Sequence, residues 1–99
     1  MLTKDDVDAM IFRALTALNA ERAQDDQIEL SPATALFGVD SDIDSLGFVS
    51  VITDVETSLI VDHGMDIPLA DDRAMTRPQS PYDTVATLRD YVLERVAEQ

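Results

Sequence analysis

The densest run of side chains able to bind or react is Asp40-Ser41-Asp42-Ile43-Asp44-Ser45-Leu46. Acids at alternate positions supply oxygen ligands of the kind that opens a calcium-binding loop. Such a loop continues with a glycine at its sixth place and a bidentate glutamate at its twelfth, but counting from Asp40 these are Ser45 and Val51. Calcium through Asp40, Asp42 and Asp44 is therefore a minor alternative. What remains is a serine at a helix start with an acid before it. An Asp-Ser pair there is first an ordinary N-cap, which satisfies N–H groups that the helix leaves without partners. The pair alone decides nothing further. Gly47 follows inside the first turn, where glycine costs about 1 kcal/mol against alanine, and marks a point of close backbone approach.

Other reactive residues point elsewhere. His63, between Asp62 and Asp66, reads as a surface residue or helix C-cap rather than a base or ligand. Acid pairs are too common in this chain for one to be singled out, and no cysteine is present to act as nucleophile or ligand. With no catalytic constellation, the chain is read as a non-enzyme.

The elements that must hold Ser45 follow from apolar spacing. Val7, Met10, Ile11, Ala14, Leu15 and Leu18 form one stripe, which predicts a first helix over Lys4–Asn19 capped by Thr3 with Asp6. From Ala20 to Asp44 no stripe persists, and a long loop is expected, relieved by a short helical turn around Pro32–Leu36. A second helix begins at Asp44 or Ser45 and runs to about Val61, with Leu46, Val49, Ile52, Val55 and Leu59 in its stripe and Phe48 and Val51 widening it. Gly64 and Pro68 break the pattern. A short third helix is expected over Leu69–Met75, ended by Pro78, and a last helix from Ser80, with Val85, Leu88, Tyr91 or Val92, and Val96 facing inward. The class predicted is all-α: three main helices and one short helix around a single core, in one domain spanning residues 1–99.

Composition narrows the function. Seven Lys and Arg against 20 Asp and Glu give a net charge of −13 over 99 residues. So acidic a chain lacks the clustered cations that nucleic acid requires. Its apolar stretches are too short to span a membrane, and its N-terminus lacks a basic-then-apolar signal pattern. A cytoplasmic monomer is expected. At 45% hydrophobic residues it has the material for a folded core.

Leu36-Phe37-Gly38, Ile43-Asp44-Ser45-Leu46-Gly47, Glu56 with Leu59, Ile67-Pro68, and Thr84-Val85 with Leu88 together resemble the acyl carrier and peptidyl carrier protein family. The resemblance covers nearly the whole chain and implies that family's four-helix bundle. It implies that Ser45 carries 4′-phosphopantetheine, whose thiol holds acyl or aminoacyl groups as thioesters for transfer between enzymes of a biosynthetic pathway. Asp44, Leu46 and Gly47 would surround the attachment point, with Gly47 leaving room for the modifying enzyme or the arm. Asp42, Val49, Asp54 and Glu56 would form the docking face together with Asp44 and Leu46. The partners implied are a phosphopantetheinyl transferase, a loading ligase, and downstream transferases or synthases with basic docking patches. Ser50 and Thr57 stand where fatty-acid carriers commonly have acids, and Leu69–Pro81, with Arg73 and Arg77, is longer than the usual third-helix region. A specialised free-standing carrier is therefore expected. The other reading is an acidic helical interaction module in which Ser45 is only part of a cap.

Overall fold

The computed structural model describes residues 2–38, 41–70 and 80–98. Three helices are present among them: α1 (Lys4–Asn19), α2 (Ser45–His63) and α3 (Val85–Ala97). The all-α class expected from the sequence holds at this level. α1 starts where Thr3 and Asp6 form a reciprocal capping box, with Asp6 N–H donating to Thr3 Oγ1 at 3.2 Å and Thr3 N–H to Asp6 Oδ2 at 2.9 Å. It buries Val7, Met10, Ile11, Ala14 and Leu15, the stripe read from their spacing. α1 is the central element, packing against both α2 and α3, whose backbones stay farther apart from each other than either is from α1.

The space between α2 and α3 is filled in part by residues 65–70, which form no helix. Ile67 and Leu69 are buried there, so their backbone polar groups need partners. Side chains supply them. Glu56 accepts the Leu69 N–H at 2.7 Å, the Tyr82 hydroxyl donates to the Leu69 carbonyl at 2.7 Å, and Arg95 Nη1 donates to the Pro68 carbonyl at 2.8 Å. The short helix expected over Leu69–Met75 is not present at Leu69 and Ala70, and its remainder lies outside the described residues.

The loop after α1 is held in the same manner. Asn19 acts as a substitute peptide, donating to the Ile28 carbonyl and accepting the Ile28 N–H at 2.7 Å. A single 3-10 turn occupies Gln24–Asp26. Pro32 and Ala33 make a single turn, closed by the Thr34 N–H donating to the Ser31 carbonyl at 3.1 Å, and no helix extends it to Leu36. Instead Ala35 pairs with Thr84 in an isolated antiparallel bridge, with Leu36 N–H donating to Asp83 O and Val85 N–H to Thr34 O, both at 3.0 Å. That pairing also moves the last helix. Ser80 accepts the Tyr82 N–H in a local turn, and residues 83–84 must stay extended to meet the loop, so α3 begins at Val85 under a Thr84–Thr87 capping box rather than at Ser80. α2 runs past Val61 to His63, where Gly64 at φ 65° ends it in the left-handed conformation.

At the α1–α3 contact Arg89 reaches Asp8 at 3.6 Å and Asp90 at 3.1 Å. Partial burial works against its charge, but the hydrogen bond and attraction from Asp90, aided by Asp8, leave its pKa above the ordinary value.

The α1 cap has a pH signature. The Thr3 backbone N–H, and then its hydroxyl, hold the exposed Asp6 carboxyl below the ordinary carboxylate range. A folded-state pKa that is depressed gives stability present above the unfolded pKa and lost as pH falls through the folded one. Urea unfolding below about pH 4 should therefore show an acid loss that Asp6→Asn reduces. Thr3→Ala should lower stability by about 1 kcal/mol at neutral pH.

Candidate functional site

The N-terminus of α2 is built from the inside outward. Asp44 is its N-cap, with Oδ1 accepting the Gly47 N–H at 2.7 Å and its carbonyl accepting the Phe48 N–H at 2.9 Å. Ser41 prepares the approach: its hydroxyl donates to the Ala35 carbonyl and accepts the Ile43 N–H, both at 3.0 Å. Ile43 is buried and anchors the turn from the core side.

Gly47 is buried, and its surroundings are close. A Cβ there would lie 3.0 Å from Ile43 Cγ2, 3.1 Å from Asp44 Oδ1 and 3.3 Å from Leu18 Cδ2. The close approach that excludes a side chain is made by the chain's own α1 and capping loop.

Ser45, the first residue of α2, is exposed, and its hydroxyl makes no hydrogen bond among the described residues. The first turns of α2 and α3 then differ. At α3 the leading N–H groups are all taken: Val85 by Thr34, Ala86 by Pro32, Thr87 by the Thr84 hydroxyl and Leu88 by the Thr84 carbonyl. At α2 the N–H groups of Ser45 and Leu46 have no partner among the described residues, while those of Gly47 and Phe48 are capped by Asp44. Two open donors beside an exposed hydroxyl, at the positive end of a 19-residue helix, suit an anionic oxygen ester on Ser45.

The other expected residues divide into two sets. Asp42, Asp44, Leu46 and Val49 are exposed around Ser45, Leu46 at 80% and Val49 at 58%. Leu46 and Val49 thus lie outside the core stripe, whose α2 members are Gly47, Val51, Ile52, Val55 and Leu59. Asp54 is exposed farther along, lining a shallow groove toward α1 with Ala14, Ala17 and Ser50. Glu56 is half-buried, and its Oε2 holds the Leu69 N–H.

Two features beside the site were not read from the sequence. Phe37, half exposed, packs on Phe48 at 5.0 Å between ring centroids, and Phe48 meets Tyr82 edge-on at 5.1 Å. This stack joins the loop, α2 and the approach to α3 one turn from Ser45. Arg22, whose guanidinium bonds the Asp26 carbonyl and pairs with the Asp26 carboxylate at 3.1 Å, lines a groove with Asp44, Leu46 and Gly47. His63 is exposed at the end of α2. Among the described residues, no group of three or more His, Cys, Asp or Glu could hold a metal ion, and no helix is long and apolar enough to cross a membrane. Asp40 lies outside the described residues.

No protein-family model, no curated protein and no solved structure matches the chain.

Substitution at Gly47 reads this packing directly. Alanine would gain about 1 kcal/mol in helix propensity, but overpacking of this kind typically costs about 1 to 3 kcal/mol. Because Asp44 Oδ1 is pinned by the Gly47 N–H and Ile43 by the core, Gly47→Ala should lower stability by about 1 kcal/mol in urea unfolding, and Gly47→Val by more. Asp44→Ala should cost about 1 kcal/mol through loss of the cap.

Proposed function

We propose that this protein is a carrier of the acyl or peptidyl carrier type, that Ser45 is the attachment point of 4′-phosphopantetheine, and that its fold is the corresponding four-helix bundle. The observation that carries the reading is an exposed, unengaged hydroxyl at the first position of α2, next to two N–H groups without partners among the described residues. The phosphodiester of the attached group would meet the Ser45 and Leu46 N–H groups, where the helix dipole favours its charge. When bound, the arm supplies a thiol that holds an acyl or aminoacyl group as a thioester.

The protein's own residues do the rest. Asp44 holds the first turn in helical geometry through the Gly47 N–H and so fixes where the hydroxyl points. Leu46 and Val49 present apolar surface beside it. With no cysteine in the chain, the arm's thiol would have no competitor, and an acyl group could form a thioester at one place only. Tethering raises the effective concentration of a cargo at each docked enzyme without any chemistry by the carrier itself. The partners are a phosphopantetheinyl transferase, a loading ligase and downstream transferases or synthases, met by a cytoplasmic monomer.

Intact mass after incubation with coenzyme A and a broad-specificity phosphopantetheinyl transferase tests the reading. The wild type should gain one phosphopantetheine, and Ser45→Ala should gain none while unfolding within about 0.5 kcal/mol of the wild type, as expected of an exposed site. An unmodified wild type, or a gain that survives Ser45→Ala, overturns the carrier assignment and favours a helical interaction module whose α2 cap is structural only.

A further inference from the structure

Among the described residues, Phe37 is the one aromatic side chain in the set of large apolar residues left exposed, at 51%. Its neighbours put it there. Leu36 is fully buried and its N–H donates to the Asp83 carbonyl; in extended chain successive side chains point to opposite sides, so Phe37 is turned outward. The Gly38 carbonyl then accepts the Ser41 N–H at 3.1 Å, which keeps this stretch beside the approach to α2. The Phe37 ring packs on Phe48 at a tilt of 56°, and Phe48 stands three residues after Ser45. Helix residues at that spacing are neighbours, with Cβ atoms about 5 to 6 Å apart, and at 100° per residue they lie about 60° apart around the axis. Phe37 therefore rests on the first side chain that a group leaving Ser45 toward the loop would meet.

We propose that Phe37 is a binding residue for the arm itself, its exposed ring seating the branched dimethyl segment of 4′-phosphopantetheine. The inference rests on the carrier reading of Ser45. Chemistry along the arm selects the segment. The phosphodiester is anionic and suits the open N–H groups of Ser45 and Leu46, whereas the face of an aromatic ring is negative and repels it. One oxygen and one methylene beyond the phosphorus comes a quaternary carbon with two methyl groups. These are uncharged, and their C–H bonds suit an aromatic face. The hydroxyl and amides farther along find no hydrogen-bond partner on a phenyl ring. Because the tether makes the contact intramolecular, a weak one suffices. Phe37 is thus a positioning residue. It lays the first part of the arm along the loop side of α2 and leaves the thiol end free to reach an enzyme.

Proton NMR of the modified protein tests this, on samples whose intact mass shows the arm attached. In the wild type, both methyl resonances of the arm should be shifted upfield of their positions in free pantetheine, and they should show cross-relaxation to the Phe37 ring protons. Phe37→Leu keeps apolar bulk without a ring and should lose the shift. Phe37→Tyr keeps the ring and should retain it. Helical circular dichroism should match the wild type in both variants, as expected of an exposed residue. Wild-type methyl groups that resonate at the free positions overturn the inference, since the arm would then swing freely from the phosphorus onward. A shift that persists in Phe37→Leu overturns it too, by assigning the contact to Phe48 or Tyr82. A wild type that gains no arm refutes the carrier reading and this inference with it, a result distinct from a loaded protein whose methyl groups are unshifted.

Discussion

The first turn of α2 depends on one close approach. Gly47 brings backbone so near Leu18 and Ile43 that a Cβ would be crowded, and its N–H is the donor that Asp44 caps. These two contacts fix the helix's start from opposite directions, one through packing and one through a charge-assisted hydrogen bond. Ser45 and Leu46 are then turned outward, because the inward position at this level of the helix is occupied by the glycine. The exposure of the hydroxyl is thus a consequence of how α2 meets α1. A bulkier residue at 47 would disturb the site without touching the serine.

Among the described residues the backbones of α2 and α3 stay apart, so irregular chain helps to close the core between them, and irregular chain brings unpaired peptide groups inward. Here the polar side chains around Ile67 and Leu69 meet that need from three directions: Glu56 from α2, Arg95 from α3, and Tyr82 from the segment before α3. Asn19 does the same for Ile28. Glu56 therefore has a structural role through its bond to the Leu69 N–H. Its partial burial and its bond to Leu69 belong to the fold, whereas Asp42, Asp44 and Asp54 remain at the surface.

Features set by neighbours in the chain were legible beforehand, and features set by distant residues were not. The α1 bounds and the Thr3–Asp6 box come from residues within one turn of each other, and the spacing rules describe such contacts. The start of α3 was displaced because Val85 and Ala86 donate to Thr34 and Pro32, partners that nothing near Ser80 announces. Gly47 stood out as an unusual residue, but its reason lies in Leu18 on another helix. α2 was ambiguous in a different way. Leu46, Val49 and Ile60 form one valid stripe, and Val51, Val55 and Leu59 form another. A helix apolar on both faces does not declare which face is inside. Only the packing of α1 and of residues 65–70 against the second stripe settles it.

Strong net charge and a neutral exposed face have separate consequences for association. Charge acts over about a Debye length, roughly 8 to 10 Å in ordinary salt, and mainly changes the rate of encounter. Apolar contact acts only once water is excluded, and it governs how long a complex persists. The two are kept apart on this molecule: its net charge of −13 acts on approach, and any lasting contact on α2 would depend on how well a surface fits Leu46, Val49, Ile60 and Val61. Leu46 and Val49 lie beside Ser45 and Ile60 and Val61 lie about four turns away, so a partner touching all four would also be aligned along the helix axis.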